Sequence, residues 1–559
     1  MPNSVSNYTW STTSRWLALF WLVLAVRPCW AAPEVNYFYP PGGQRGQTVE
    51  VTAAGKFPAW PAKCWVDRPG LEATAQEKNG VLSVHIASDA APDVYWIRLV
   101  DESGAATPQP FVVGLVPERG EAEPNDALDT AQPIDIGDAP QRAVVVNGRL
   151  NKGGDVDLYR VSVEAGQTLV ADLDAQAQLD SPVDASLQVV SADGFVLAQN
   201  DDQLGLDPRL AVTIPQTGQW LVRVFGFPAV ANQSISLAGS DSFVYRLTLC
   251  TGPVVDYSLP LALSREGTQK LELRGWNLPP EMSQLNVAPQ ESGLHLLEQP
   301  GIANVLRLPV VDGVNIVAVA EQAPTAASSA NWPVSLPFTA TGRIDERRQR
   351  DVYRFAAKQG EIVVAKVESR ALGFDLDPVL ELLDAGGKQL AKLDDTGASR
   401  DAELAQTAAA DGDLQLAVSD LHAGAGPRYV YRLSVQRGRP DFALSLDAHQ
   451  LVVATGATVE LPVNIERRHG LADPIAITVE GLPTGVQVEE VSSQGTDDSA
   501  KKVTLKLTAD ASAAQASVPV RVVGRVGEGA PQASTIAAGT HGQQPLELWL
   551  TVAAAEAKQ

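Results

Sequence analysis

Two long stretches of this chain repeat each other, and both follow the pattern of β-strands. The stretch GDVDLYRVSVEAGQTLVADLDA (154–175) aligns with RQRDVYRFAAKQGEIVVAKVES (348–369), and VYRLTL (244–249) aligns with VYRLSV (430–435). Further blocks match in the same order between these, which indicates a duplicated module. Within the blocks, large apolar residues alternate with polar ones, as in strands with one buried face. The repeat therefore predicts two copies of one β module.

The rest of the chain shows the same strand pattern. The 559 residues include 45 Gly and 38 Pro, and many of these separate short runs rich in Val and Thr. Such runs favour strands, and the Gly and Pro between them favour turns. We predict an all-β fold of tandem β-sandwich modules, both jelly-roll and immunoglobulin-like.

The order of short motifs in the first copy resembles the bacterial pre-peptidase C-terminal domain. The motifs, in chain order, are EAEPND, GDVDLY, AGQ, DGFVLA, DD, GQWLVRV and YRL. The resemblance covers 118–252 well and 331–436 less completely. It implies a β-sandwich similar to the collagen-binding domains of secreted bacterial collagenases. It also implies a non-catalytic module, attached to secreted peptidases or carried among other modules in exported proteins.

The remaining segments resemble immunoglobulin-type modules, and the first of them resembles the IPT family. The predicted division is a signal peptide (1–31), an immunoglobulin/IPT-like β-sandwich (32–116), the first copy (117–252), a small β module (253–325), a degenerate second copy (326–438) and an immunoglobulin-like β-sandwich (439–559).

The N-terminus is typical of an export signal. Arg15 precedes the apolar run Trp16 to Val26, which is short for a membrane span but suits the core of a signal peptide. The small residues Cys29 and Ala31 predict cleavage after Ala31, although retention of the segment as an anchor is the alternative. We expect a secreted, periplasmic or cell-surface protein with no stable membrane span after cleavage.

Charge and motif content limit the functions to consider. The formal net charge of −23 disfavours nucleic acid and anionic membranes as partners. The sequence contains no G-x-S-x-G, H-E-x-x-H or P-loop motif, and its six histidines are scattered. We therefore expect no enzymatic activity, and favour binding or adhesion to an extracellular or cell-envelope protein or polysaccharide. An accessory chain of a secreted peptidase or other hydrolase is the alternative.

An acidic segment at the entrance to the first copy predicts a metal site. Side chains two residues apart in an extended segment point the same way, and a second acidic pair begins the next strand. Ca²⁺ prefers six to eight oxygen ligands, many of them carboxylates. In the collagen-binding domains that the first copy resembles, the matching positions hold calcium. The candidate ligands are Glu121, Glu123, Asn125, Asp126, Asp155 and Asp157.

Other interpretations of these residues stay open. Asn125 or Asp126 could cap a single helical turn, Asp155 and Asp157 could be turn residues, or the segment could be a solvated linker. The second copy has SSANWPVSLP at the equivalent place, and Gln349 stands where the first copy has Asp155. We therefore predict that calcium binds the first copy only.

Two further residue pairs have alternative roles. Cys64 and Cys250 could bridge two modules, but two free thiols are the preferred interpretation. Trp60 and Trp65 are candidate binding aromatics, although packing in a sandwich core is the favoured role for both.

Overall fold

The computed structural model describes residues 31–138, 140–230, 236–289, 293–318, 331–397, 399–537, 543–544 and 546–555. Residues 1–30 of the predicted signal peptide, including its apolar core, therefore lie outside the described residues. The described residues form β-sheets almost throughout, which confirms the predicted all-β fold. None of their helices is long and apolar enough to cross a membrane.

The first sandwich is built from two sheets with a shared core. Core residues from both sheets, such as Val84 and Phe111, are fully buried. One sheet has the order Glu34–Tyr39, Thr48–Lys56, Val81–Ile86, Leu71–Ala75; the other has the order Gly42–Gln44, Gln109–Gly114, Val94–Asp101, Lys63–Val66, with Gly104–Ala105 paired to Val94–Asp101.

The second sandwich contains the first repeat. Alternate residues of Asp157–Val163 enter its core, as the period of two predicts, and Tyr159 and Val161 are fully buried. One sheet has the order Glu118–Gly120, Ala143–Arg149, Val244–Cys250, Thr168–Asp174, Arg209–Thr213; the other has the order Gln132–Pro133, Asp157–Val163, Gly218–Pro228, Val183–Ser191, Val196–Asn200. A single helical turn, Gln176–Leu179, follows the strand Thr168–Asp174.

The third sandwich is the smallest. Its core is correspondingly short, and Leu263 and Leu271 are its fully buried members. One sheet has the order Val254–Leu259, Gln269–Trp276, Gln284–Val287, the other has the order Leu263–Ser264, Leu306–Val311, Gly293–Leu297, and a 3₁₀ turn spans Pro280–Met282.

The fourth sandwich contains the second repeat and has the same strand order as the second sandwich. One sheet has the order Val314–Ala318, Phe338–Arg343, Val430–Arg437, Ile362–Glu368, Glu403–Thr407; the other has the order Asn331–Pro333, Asp351–Ala357, Gly412–Asp420, Pro378–Asp384, Gln389–Leu393, and a 3₁₀ turn spans Arg370–Leu372. Val314–Ala318 falls within the range predicted for the small module, 253–325, yet it pairs in parallel with Phe338–Arg343.

The fifth sandwich closes the chain and contacts the first. One sheet has the order Val486–Val488, Lys502–Ala509, Thr458–Arg468, Asp441–Leu446, Thr535–Ala537, Gln543–Gln544; the other has the order Gln450–Ala454, Leu548–Ala553, Ala516–Arg525, Ile475–Glu480, Val491–Ser493, with Gln532–Ala533 paired to Ala516–Arg525 and a 3₁₀ turn at Asp498–Ala500. Arg98 of the first sandwich lies 5.5 Å from the Trp549 ring and donates to the carbonyl of His449. The two ends of the described chain therefore pack against each other.

Candidate metal centre

Three of the predicted ligands converge at the end of the second sandwich. One carboxylate oxygen from each of Glu123, Asp155 and Asp157 lies within 4.8 Å of the other two. Asp155 and Asp157 are fully buried, whereas Glu123 is exposed. Buried carboxylates repel one another strongly unless protons, donors or a cation offset their charge. Such an arrangement suits a cation reached from solvent on the Glu123 side.

Asp157 is fixed by a chain of buried hydroxyl groups. It is the first residue of its strand, and its Oδ2 accepts a hydrogen bond from the hydroxyl of Tyr245. That hydroxyl lies 2.5 Å from the hydroxyl of Tyr159. Both tyrosines are almost completely buried, so the position of the Asp157 carboxylate is set by the core. Its second oxygen is left to face the acidic cluster.

Asp155 has one oxygen engaged and one without a hydrogen bond. Its Oδ2 accepts from the backbone N–H of Asn151 at 2.6 Å. Its Oδ1 is buried and has no hydrogen-bond partner, and the Nζ of Lys152 lies 3.7 Å away. A buried carboxylate oxygen without a donor is costly, and a cation would compensate it.

Glu123 and Asn125 complete the cluster from the entering segment. Glu123 accepts from the Asn125 backbone N–H at 3.0 Å and from the Asn151 side chain at 3.0 Å. With its amide nitrogen facing the acids, Asn125 donates to Asp157 at 3.0 Å and to Glu123 at 3.3 Å. In the opposite orientation its oxygen faces the same two carboxylates. A proton-only site favours the first orientation, and a bound cation favours the second.

Glu121 and Asp126 lie beside the three converging acids. Glu121 accepts from the backbone N–H of Arg149 at 2.7 Å. The phenol of Tyr39 in the first sandwich donates to the Asn147 carbonyl at 3.1 Å and lies close enough for the charge of Glu121 to raise its pKa, after the larger effect of burial. Asp126 is exposed and pairs with Lys152 at 3.4 Å. Neither group belongs to the innermost cluster, but both contribute negative charge to it.

The pKa values of the acids reflect their crowding. Burial, followed by the charge of Glu121, raises the pKa of Asp157 well above its usual value. Burial, followed by the neighbouring carboxyl of Asp126, raises the pKa of Asp155. Burial raises the pKa of Glu121 to about 7, with the nearby acids adding to the effect. These shifts favour protonation of the cluster when no cation is bound, and a divalent cation would compete with those protons.

The helix-cap interpretation of this segment does not fit the structure. The turn after the acidic segment is closed by Thr130, which accepts from the Ala127 N–H at 3.1 Å and donates to the Ala127 carbonyl at 3.2 Å. The Asn125 side chain is buried against the acids instead.

The second repeat has the same core arrangement without the acidic cluster. The Tyr353 and Tyr431 hydroxyls lie 2.7 Å apart, and Tyr431 donates to Asp351 at 2.6 Å. Gln349, however, donates its amide N–H to the other Asp351 oxygen at 2.9 Å. A neutral donor thus occupies the place where the first repeat has an acid, and Asp351 has no acid partner within bonding distance among the described residues.

Several residues that contact the acidic cluster were not predicted from the sequence. Asn151 and Lys152 belong to the site, but a polar loop residue carries no signal that it will turn toward a carboxylate. Asp207 is buried, and its carboxylate accepts from the N–H groups of 175–177. Asp401 does the same for 369–371 in the second repeat. These two acids stabilise the turns at 175–177 and 369–371 and are not among the three converging carboxylates.

The remaining candidate residues have structural surroundings. Trp60 packs against Phe57 with ring centroids 5.2 Å apart and donates to the Gln76 carbonyl. Trp65 packs edge-on against Trp549 at 5.8 Å. Both are partly buried, which agrees with packing as their role.

The two cysteines of the described chain are free thiols. Burial raises the pKa of Cys64 and of Cys250 to about 11, so both are protonated near neutral pH. Neither is a reactive thiolate there.

Comparison with known proteins matches a part of the second sandwich, which includes Asp155 and Asp157, to a known domain family. Residues 155–226 match the family described as bacterial pre-peptidase C-terminal domain. A probable subtilase-type serine protease of Deinococcus radiodurans is 31% identical over 102 residues, which are 18% of this chain and 14% of that protein. The chain thus spans a small part of this curated relative.

Solved structures with similar parts are more distant. The pre-peptidase C-terminal domain of a Bacillus anthracis collagenase is 19% identical and covers 19% of this chain and 96% of its own, with a TM-score of 0.16. Fibronectin(III)-like modules of Clostridium thermocellum CbhA are 13% identical and cover 36% of this chain and 90% of their own, with a TM-score of 0.14.

Proposed function

We propose that this chain is an exported, non-catalytic binding protein whose target is an extracellular or cell-envelope protein or polysaccharide. The observation that carries the proposal is the pre-peptidase C-terminal domain match within a chain of β-sandwiches. Domains of this family are typically attached to exported proteins, and loops at sandwich ends are common binding surfaces.

Contacts between sandwiches support a scaffold of fixed shape. Asp256 of the third sandwich is nearly buried between Arg209 of the second, 3.4 Å away, and Arg428 of the fourth. Buried pairs of this kind hold one geometry because breaking them leaves a charge unpaired. Preorganised surfaces lose less entropy on binding than flexible ones.

A role as an accessory chain of a secreted peptidase is the second candidate. It is favoured by the matched family and by the 31% identity to a segment of a probable subtilase-type serine protease. In that case the chain would position a separate catalytic protein or its substrate.

Calcium is the proposed ligand of the acidic cluster. Three converging carboxylates, one of them with a buried oxygen lacking a donor, provide the charged oxygens that Ca²⁺ requires. Asp157, Asp155 and Glu123 would be the primary ligands, and the Asn125 oxygen would join them after rotation of its amide. Calcium would serve a structural purpose there, by tying the entering segment to the first core strand.

The second repeat is proposed to be a degenerate copy of the same domain. It shares the strand order of the first repeat and the buried Tyr–Tyr–Asp hydrogen bonds. In this copy the amide N–H of Gln349 donates to the Asp351 carboxylate. In the first repeat a cation would compensate the equivalent carboxylate, so the second copy would fold without a metal.

Location and contacts of the mature chain test the proposal. Crosslinking followed by mass spectrometry of the culture medium and the cell envelope should find the chain outside the cytoplasm, joined to a protein or polysaccharide. Recovery of a peptidase as the dominant crosslinked protein would favour the accessory role. Hydrolytic turnover that disappears on substitution of one His or Asp would contradict the non-catalytic proposal.

A further inference from the structure

An edge strand of the second sandwich has unusual exposure of apolar side chains. Among the described residues, Val196–Asn200 is the last strand of its sheet and pairs on one side only, with Val183–Ser191. Phe195 is 75% exposed, Val196 49% and Leu197 43%. An unpaired edge with apolar side chains is a template for pairing with another extended chain, and most proteins protect such edges with charges.

The equivalent edge of the second repeat is protected. Gln389–Leu393 pairs with Pro378–Asp384 in the same register, including the same irregularity near the turn. Lys388 precedes this strand and Lys392 lies within it, and Lys392 forms an ion pair with Glu381 at 3.0 Å. Lysines at an edge are a known means of preventing strand addition. The equivalent positions, first repeat against second, are Phe195 and Lys388, Val196 and Gln389, and Gln199 and Lys392.

Acidic side chains flank the apolar edge at both ends. Asp193 precedes it, Asp201 and Asp202 follow it, and all three are exposed. Residues 192–203 contain no Lys or Arg. The electrostatic potential along this edge is therefore negative, and a partner that pairs with it would need positive charges near the ends of its apolar segment.

We propose that Val196–Asn200 is a docking edge for an extended segment of a partner protein, with apolar residues flanked by lysine or arginine. The partner's backbone would extend the sheet by one strand, and its apolar side chains would cover Phe195, Val196 and Leu197. This proposal rests on the proposed binding function and specifies one surface and one class of partner for it.

A second copy of the chain is a poorer occupant of this edge. Two copies would bring Asp193, Asp201 and Asp202 of one chain close to the same residues of the other. The whole chain is also strongly acidic, with a net charge of −23, so association of two copies is opposed at long range as well.

The test uses the full mature chain and a labelled synthetic peptide. The peptide has a Val-Thr-Val-Thr-Val core between paired lysines, and fluorescence anisotropy measures its binding at low and high salt. Two further peptides keep the same core, one flanked by glutamates and one N-methylated at alternate residues. N-methylation removes the backbone donors that strand addition requires. We expect binding of the lysine peptide only, weakened by salt.

The matched variant carries Phe195→Lys, Val196→Gln and Gln199→Lys, which copy the edge of the second repeat onto the first. All three residues lie at the surface of a strand with the same pairing as its counterpart, so the sandwich should fold, and circular dichroism checks this. The variant should bind the lysine peptide at least tenfold more weakly. The control is Leu390→Ala at the second edge, where Leu390 is 44% exposed, and its binding should equal that of the wild type.

The proposal is overturned if the wild type does not bind the lysine peptide, if the triple variant binds it equally well, or if the N-methylated peptide binds as tightly. Self-association of the wild type that the triple variant loses, measured by sedimentation, would identify a second copy as the occupant and also overturn it. Crosslinking separates the two proposals. If wild type and variant capture the same partners, only the docking edge is wrong, whereas capture of nothing by the wild type contradicts the binding function itself.

Discussion

Removal of one carboxylate from the acidic cluster should weaken calcium binding without unfolding the sandwich. Glu123→Gln keeps the length of the side chain and one of its two acceptor oxygens, and Glu123 is exposed, so the cost to the calcium-free protein should be small. The substitution nevertheless removes one of the three converging charges. Because calcium affinity follows the number of charged ligands, we expect Kd to rise at least tenfold.

The energy follows from binding to the folded state alone. At a calcium concentration one hundred times Kd, the wild-type sandwich should gain about 2.7 kcal/mol relative to chelator. A tenfold weaker site at the same concentration leaves about 1.4 kcal/mol. The unfolding transition of the second sandwich should therefore rise by several degrees in calcium for the wild type, and by about half as much for Glu123→Gln.

Calorimetry of the full mature chain measures the transitions, and hydrogen exchange with mass spectrometry assigns them to segments. Calcium should protect peptides that contain Asp157 and leave those that contain Asp351 unchanged. Asp351→Asn is the matched control in the second repeat, and it should leave the calcium response intact. Identical melting and identical exchange of the wild type in calcium and in chelator would show that the cluster holds protons rather than calcium.

Three further predictions concern pH, the contacts between sandwiches and export. The pKa of Glu121 is about 7 in the folded chain and near 4.5 in the unfolded chain, so the folded state binds more protons between these pH values. In chelator, the free energy of unfolding should therefore fall as pH rises across that window. Stabilisation by calcium, which displaces those protons, should grow as pH rises from 5 to 8, and thermal melts measure both effects. Asp256→Asn leaves Arg209 and Arg428 without their buried counter-charge, and calorimetry should show a loss of about 3–5 kcal/mol, whereas unchanged transitions would contradict a role in holding the sandwiches together. N-terminal sequencing of the exported protein should begin at Ala32, and a full-length cytoplasmic chain would contradict cleavage after Ala31.

The strand content and the candidate ligands could be read from local sequence. Alternation in segments such as Asp157–Val163 specifies a strand with one buried face, since the side-chain period is a property of the backbone itself. The pairing of Glu121, Glu123 and Asn125 with Asp155 and Asp157 also followed from spacing and from resemblance to a known family. Tertiary structure brought one atom each from Glu123, Asp155 and Asp157 within 4.8 Å of one another.

Other parts of the site depend on residues distant in the chain. Asp157 is fixed by Tyr245, which lies 88 residues away, and Glu121 contacts Tyr39 of a different sandwich. Asn151 and Lys152 joined the cluster only through the path of a loop. A local pattern indicates which face of a strand is apolar. It does not indicate which distant residue will contact that strand in the folded protein.

The sequence by itself determined that this protein is a series of β-sandwiches with two related repeats of strand pattern, because period and turn chemistry are local properties. Only the tertiary structure decided which strands are neighbours, as when Val314–Ala318 pairs with Phe338–Arg343 across 19 intervening residues and an expected module boundary. It alone decided that one repeat gathers its acids while the other neutralises Asp351 with an amide of Gln349. It also decided that Val196–Asn200 ends its sheet unpaired. The physical reason is that hydrogen bonds between strands and the burial of charged groups depend on contacts between segments far apart in the chain. Many strand pairings are compatible with the same local sequence pattern, and the packing of the core determines which of them forms.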